Sequence, residues 1–260
     1  MNISFYKYQG TGNDFVMIDD RDEVLDLSDI SWVKRLCDRK FGIGADGLIA
    51  IRNHKDYDFE MVYFNSDGSQ SMCGNGARCA VAFAGQLGIV SEKTNFLAID
   101  GPHEALLSDS NVELKMGDVS SIDALERDFF VNTGSPHHIR MVEEIESYPV
   151  FEQGKEVRYS EQYQPAGTNV NFIQKQSEER IFVRTYERGV ENETLSCGTG
   201  VTAAALAFAA ERESATIQIQ TLGGELAVRF EKAPGGGYQN IWLIGPAERV
   251  FSGEIKIQIT

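Results

Sequence analysis

Cysteine and positive charge are both scarce, and their scarcity excludes several classes at once. The chain has four cysteines, Cys37, Cys73, Cys79 and Cys197, with no Cys-x-x-Cys pair and no spacing that suits a zinc ribbon. At 260 residues it is also too long for a small disulfide-held secreted scaffold. Lysine and arginine number 24 against 39 aspartates and glutamates, a net charge of −15. That balance argues against a surface built for nucleic-acid phosphates or anionic lipid, while leaving room for a local basic pocket. No apolar run reaches the roughly 18 to 20 residues that span a bilayer. The stretch from Met1 to Phe15 alternates polar and apolar residues and lacks the cationic-then-apolar layout of a signal peptide. The expectation is a soluble cytoplasmic protein with reduced thiols and neither a nucleic-acid nor a membrane partner. With 42% hydrophobic residues the chain can bury a real core, so disorder is not a sensible starting point.

What is present is a doubled half. Thr11-Gly12 recurs as Thr133-Gly134 (133 − 11 = 122), and Gly44-Ala45-Asp46 recurs as Gly167-Thr168-Asn169 (167 − 44 = 123). Phe64-Asn65 answers to Tyr186-Glu187 (187 − 65 = 122), and Cys73-Gly74-Asn75-Gly76 to Cys197-Gly198-Thr199-Gly200 (197 − 73 = 124). The turn at Gly101 answers to that at Gly223 (223 − 101 = 122). Five anchors in one order at nearly one offset define two similar domains, residues 1–117 and 118–245, with the boundary near Met116 to Asp118.

Each half repeats the same elements. Phe59 to Phe64 and Ile181 to Tyr186, rich in β-branched and aromatic residues, read as strands feeding a glycine-containing loop. Ala77 to Leu87 and Val201 to Arg212 then read as buried, alanine-rich helices that begin just past a cysteine. Hairpins follow: Phe96 to Ile99 and Ala105 to Leu107 around Gly101-Pro102, and Ile217 to Leu222 and Leu226 to Phe230 around Gly223-Gly224. A further helix is expected from Asp29 to Arg39, capped by Ser28, with Trp32, Val33, Leu36 and Cys37 on one face. Gly235-Gly236-Gly237 reads as a flexible surface turn. The fold class is therefore α/β (α+β): two pseudo-symmetric domains, each a mixed or antiparallel sheet wrapped around a central helix.

The two repeated cysteines carry the chemistry. At a helix N-terminus, unpaired N–H groups and the helix dipole favour negative charge, so a thiolate forms more easily. One such cysteine per half would let the pair face each other across a small ligand. Inverting a stereocentre needs an acid and a base on opposite sides, and twin half-sites in a cleft between the domains would supply both. An α-proton is a far weaker acid than a thiol, by on the order of 12 pKa units or roughly 16 kcal/mol, so the site must stabilise the carbanion. Backbone N–H groups at Gly74-Asn75 and Gly198-Thr199 would grip the substrate carboxylate between two positive helix ends. Asn13, Asn65, Asn75 and Asn169 can each donate and accept, and Glu187 beside Arg188 offers a carboxylate for an ammonium and a guanidinium for a carboxylate. His137, after Thr133-Gly134-Ser135-Pro136, can tune a thiol. Cys37 and Cys79 lack the glycine-loop context and read as core.

At these residues the chain resembles the diaminopimelate epimerases, the pyridoxal-independent enzymes of lysine and peptidoglycan-precursor synthesis. The motifs are Gly10-Thr11-Gly12-Asn13-Asp14-Phe15, Phe64-Asn65-Ser66-Asp67-Gly68, Cys73-Gly74-Asn75-Gly76-Ala77-Arg78-Cys79, Gly134-Ser135-Pro136-His137, Tyr186-Glu187-Arg188-Gly189 and Ser196-Cys197-Gly198-Thr199-Gly200. They span essentially the whole chain. The resemblance implies interconversion of LL- and meso-diaminopimelate, with Cys73 and Cys197 as the base and acid pair and with neither metal nor organic cofactor. It also implies substrate binding by Asn13, Asn65, Gly74, Asn75, Asn169, Glu187, Arg188, Gly198 and Thr199, with His137 and Glu187 tuning the thiols. The tail from about Pro246 to Thr260 is expected to return to the first domain, and a homodimer is compatible with such relatives.

Two positions depart from the family pattern. Some members carry asparagine before the Pro-His pair and glutamine after Asp46, where this chain has Ser135 and Gly47. Three rival readings remain distinguishable. A thiol oxidoreductase would cycle through a disulfide and need a reductant, whereas in an epimerase a Cys73–Cys197 disulfide is a dead end. An amino-acid-binding module would survive loss of either thiol. A proline or hydroxyproline racemase would take a substrate with no distal ammonium and carboxylate.

Overall fold

In the computed structural model, which describes residues 2–108 and 111–256, each half lays its β-branched and aromatic runs around one alanine-rich helix. The chain divides into two compact units, Met1–Leu114 with Pro246–Thr260 and Lys115–Gly245. Of the expected returning tail, residues 257–260 lie outside the described residues.

The first unit runs β1 (Asn2–Gly10), β2 (Asn13–Asp19), α1 (Ser31–Cys37), β3 (Gly47–Arg52), β4 (Phe59–Asn65), α2 (Gly74–Gln86), β5 (Lys93–Ala98), β6 (Gly101–Leu107) and β7 (Val112–Lys115). The second holds β8 (Ile122–Ala124), β9 (Asp128–Asn132), β10 (Pro136–Met141), α3 (Val150–Arg158), a 3-10 turn (Glu161–Tyr163), β11 (Asn169–Ser177), β12 (Arg180–Glu187), β13 (Asn192–Thr194), α4 (Gly198–Phe208), β14 (Ser214–Thr221), β15 (Gly224–Lys232) and β16 (Tyr238–Gly245). β17 (Glu248–Lys256) then pairs with β1.

Pairing order shows the pseudo-symmetry directly. In the first unit the sequence of neighbours is β17, β1, β2, β3, β4, β5, β6, β7, parallel only at β2–β3 and β4–β5. In the second it is β8, β9, β10, β11, β12, β14, β15, β16, parallel only at β10–β11 and β12–β14, with short β13 beside β12. Parallel neighbours need a crossover, and each of the four crossovers carries one helix.

The second helix of each unit is the centre of its core. Along α4, nearly every side chain from Val201 to Ala207 is buried, and α2 buries Ala77, Cys79, Ala80, Val81, Phe83 and Ala84. Alanine suits this place twice: it favours helix, and its short side chain lets strands approach from several sides at interior packing density. α2 packs on β1 to β4 and β6, and α4 on β9 to β12 and β14 to β16. Among the described residues no helix is long and apolar enough to cross a membrane.

Four local expectations are corrected. α1 is shorter than Asp29 to Arg39, and Ser28 does not cap it. Ser28 bonds Asp26 instead, while the Asp29 carboxylate receives the Ser31 N–H. The helix stops at Cys37 because Asp38 is extended and its carboxylate accepts the Lys40 and Phe41 N–H groups. The hairpin loops are Ile99-Asp100 and Leu222-Gly223, since Ala98 pairs with Gly101 and Thr221 with Gly224. Gly101 (φ 124°) and Gly224 (φ 138°) open the second strands, so these two correspond, rather than Gly101 and Gly223. Likewise Phe15 pairs with Gly47 and His137 with Asn169, which makes Gly47, not Asp46, the counterpart of Asn169. The triple glycine does form a turn, yet a Cβ at Gly237 would stand 2.3 Å from the Val119 carbonyl, so its last residue is packed rather than loose.

Candidate active site

Cys73 and Cys197 occupy the same local geometry in their units. Each is the extended residue before its central helix, at φ −136°, ψ 115° and φ −123°, ψ 113° respectively. Their carbonyls accept the first helical bonds, from Ala77 N at 2.8 Å and Val201 N at 2.9 Å. Both sulfurs thus sit beside first-turn N–H groups that have no helical partner, in the positive end of the dipole. Both are partly exposed. Cys37 and Cys79 are buried instead, and burial pushes each thiol up to about 12, as expected of inert core residues.

In the first unit the Cys73 thiol donates to Asn13 Oδ1 at 3.4 Å, and Asn75 Nδ2 approaches the same oxygen at 3.5 Å. The orientation of Asn13 is fixed from behind, because its Nδ2 donates to the Asp46 carboxylate at 2.6 Å. Arg39 binds Asp46 and grips Asp14 with two nitrogens, and Lys7 pairs with Asp14 at 2.7 Å. Burial alone would raise the Asp14 carboxyl, but bonds from Arg39 and Lys7 outweigh it and hold it well below the usual carboxylate range. Asn75 is set in turn by Arg78, a fully buried guanidinium that donates to Asn75 Oδ1, Thr11 Oγ1 and the Pro246 carbonyl. Asn65 does not join this cluster through its amide: its oxygen accepts from Tyr63 and its nitrogen donates to Ser69 and Ser71. At the departure Gly47, a Cβ would stand 2.5 Å from the Tyr63 ring, so that ring fills the space a side chain would need.

In the second unit Thr199 Oγ1 lies 3.5 Å from the Cys197 sulfur and 3.0 Å from His137 Nε2. His137 is fully buried, and desolvation, helped by the Arg188 charge, lowers it to about 3, so the imidazole is neutral at ordinary pH. It therefore reaches Cys197 through Thr199 as a neutral ring. Thr133 holds the loop from outside by donating to the Thr199 carbonyl at 2.9 Å. Asn169 accepts the Arg188 N–H at 2.9 Å and donates to the Pro136 carbonyl at 2.9 Å, so its amide ties two strand ends together. Burial raises the Glu187 carboxyl, which stands next to Arg188 at the end of β12.

The structure thus joins Cys73, Asn13 and Asn75 in one unit, and Cys197, Thr199 and His137 in the other. Asn169 and Arg188 form a separate pair. Sequence reasoning assigned no role to Arg78, Asp46, Arg39, Asn171 or Thr185. Polarity inside an otherwise apolar strand was the available signal for Asn171, between buried Val170 and Phe172.

A family model described as diaminopimelate epimerase matches residues 5–122 and 129–250. The diaminopimelate epimerase of Flavobacterium psychrophilum is 48% identical over 257 residues, covering 97% of this chain and 100% of that protein. That of Aquifex aeolicus is 39% identical over 280 residues and covers 99% of each. Among solved structures, a PhzF-family phenazine biosynthesis protein of Bacillus anthracis superposes with a TM-score of 0.77 at 13% identity, over 99% of this chain and 100% of that one, a likeness of fold alone. By family match and by near-full-length relatives, the chain belongs to the diaminopimelate epimerase family.

Proposed function

We propose that this protein interconverts LL- and meso-diaminopimelate by moving the α-proton between two sulfurs, with Cys73 and Cys197 as the acid and base pair serving one substrate. The observation that supports this most is the repetition itself. Each unit places a partly exposed cysteine at the N-cap of its buried central helix, with a polar side chain within hydrogen-bond reach of the sulfur. A single base tends to return a proton to the face it left, whereas two equivalent bases allow inversion. N–H groups of the first helical turns would receive the substrate carboxylate and stabilise charge developing beside it. Asn13 and Thr199 approach the two sulfurs, Asn75 approaches Asn13, and the three would position the α-amino acid end. Asn65, Asn169, Glu187 and Arg188 would meet its other polar groups. The chemistry requires free thiols and suits a reducing cytoplasm.

The test is proton exchange in heavy water. Purified protein with no added cofactor should carry solvent deuterium into the α-position of diaminopimelate while the LL form converts to meso. Proline offered in parallel should not exchange. Exchange of proline instead of diaminopimelate would overturn the substrate assignment, and oxidation that leaves turnover intact would overturn the role of the thiols.

A further inference from the structure

The second unit buries a polar chain that its fold does not require. Asn171, fully buried on β11, donates through Nδ2 to the His138 carbonyl at 3.3 Å and to His137 Nδ1 at 3.1 Å. Its Oδ1 accepts the Thr185 hydroxyl at 2.9 Å. This orientation is unambiguous. A carbonyl can only accept, so the atom facing His138 O must be the amide nitrogen. His137 Nδ1 is then an acceptor, the ring proton resides on Nε2, and Nε2 donates to Thr199 Oγ1. Thr199 then only accepts from His137, so its own hydroxyl hydrogen is available to the Cys197 sulfur 3.5 Å away, which as a thiolate can only accept.

We propose that Asn171 is a positioning residue that, by fixing the tautomer of His137 and through it the hydroxyl of Thr199, keeps a hydrogen-bond donor aimed at the Cys197 sulfur. This rests on the acid–base role given to Cys197 above. A second observation favours a functional over a merely structural origin. At the same register in the first unit, where Met17 pairs with Ile49 and Ile49 with Tyr63, the residue is Ile49, just as Ile139 pairs with Asn171 and Asn171 with Thr185. The fold accepts an apolar side chain there. Close approach supports it too: a Cβ at Gly200 would stand 2.4 Å from Asn171 Oδ1, so the glycine after Thr199 admits the amide against the helix start. Other charged groups nearby are few. Arg188 opposes protonation of His137, Glu187 lies at the end of β12, His138 bonds Asp128 and Tyr163, and α4 has no acidic or basic residue in its first or last turn.

The experiment measures alkylation of Cys197 by iodoacetamide against pH, read by peptide mass spectrometry on the full chain without substrate. A donor aimed at sulfur stabilises the thiolate, so Thr199→Val should move the profile upward by about one pH unit and slow alkylation at pH 7 about tenfold. Asn171→Ile should do the same, Thr199→Ser should retain the original profile, and the double variant Asn171→Ile/Thr199→Val should move no further than Thr199→Val alone. Additive displacement, or an unmoved profile in Asn171→Ile, overturns the proposal. Should Asn171→Ile fail to fold, the Val and Ser variants at Thr199 still decide whether the hydroxyl acts on the sulfur. Because no substrate is involved, a protein that does not turn over diaminopimelate fails the functional reading without deciding this one.

Discussion

Against Gly76 in the first turn of α2, the inner strands present Phe15 and Ile49, with Tyr63 opposite Ile49 on the next strand. Against Gly200 in α4 the equivalent positions hold His137, Asn171 and Thr185, tied to one another by hydrogen bonds. The pairing pattern around the two trios is the same, so the fold tolerates either. Burying three polar side chains gains nothing unless every group finds a partner, and these do. The first unit keeps its polarity elsewhere, in an outer cluster of Lys7, Arg39, Asp14 and Asp46 that stands behind Asn13. Two sulfurs in matched places are thus supported by unlike surroundings, one by a partly solvated set of ions and one by a dry, neutral chain. The scaffold is matched at the two sulfurs, and the difference lies in what surrounds them.

The largest effect should be the one in which the halves agree. Under the proposed two-sulfur mechanism, replacing either Cys73 or Cys197 by alanine removes one proton-transfer group and should slow inversion in both directions by roughly 10² to 10⁴. Turnover assays should show equal loss. A variant that retained full turnover after losing one sulfur would break the symmetry at the chemical step.

Acid should separate the units next. His137 titrates at about 3 in the fold against an ordinary value of 6.5. The unfolded chain therefore binds a proton that the folded chain refuses, and stability falls as pH drops from about 6.5 toward 3 by an amount on the order of 5 kcal/mol. Buried His138 is lowered as well and adds to this in the same direction. Asp14 in the first unit is held low, so its contribution is intact above about pH 4 and lost only as pH falls further. Denaturant unfolding at pH 7 and pH 5 should show the loss, and His137→Phe, which copies Phe15, should remove most of it. Equal acid sensitivity in His137→Phe and the parent would contradict a neutral buried imidazole.

Much of this contrast was hidden in the sequence, for reasons that are physical. The doubling was legible because turn glycines recur where the backbone recurs and a cysteine repeats at the entry of each central helix, where no side-chain cap calls for it. Strand positions slip between such anchors: one residue more separates Gly44 from β3 than Gly167 from β11, so Asp46 was matched with Asn169 although the register gives Gly47. Hairpin glycines misled by one place because their positive φ is needed at the strand start, not in the loop. The helices after the cysteines were clear, since unbroken alanine-rich runs have few other uses. Arg78 was visible as a letter in a motif, but its duty as a buried brace for Asn75 depends on chain segments far apart in sequence. Asn171 needed a full count of donors and acceptors, which no spacing rule provides.

A smaller effect tests how tightly each trio packs. A methyl at Gly76 would meet Ile49 Cδ1 at 3.2 Å and the Phe15 ring at 3.3 Å, side-chain atoms that can yield by a few tenths of an ångström. At Gly200 it would meet Asn171 Oδ1 at 2.4 Å, and the amide cannot retreat without releasing Thr185 or His137. Gly200→Ala should cost about 1 to 3 kcal/mol in thermal or denaturant unfolding, and Gly76→Ala distinctly less. Equal costs would mean that the polar trio is as yielding as the apolar one.

The smallest effect probes the outer ions of the first unit. Arg39 is more than half exposed, with 59% of its side chain accessible, and its pairs with Asp14 and Asp46 lie where solvent screens them. Arg39→Gln should therefore cost no more than about 1 kcal/mol, and 1 M salt should shrink that difference further because the screening length falls to about 3 Å. Substitutions in the buried chain of the second unit, such as Thr185→Val, should be insensitive to the same salt. If the Arg39 variant instead lost as much stability in high salt as in low, the cluster behind Asn13 would be acting as packing rather than as charge. The two sulfurs would then be supported by more similar physics than their neighbours suggest.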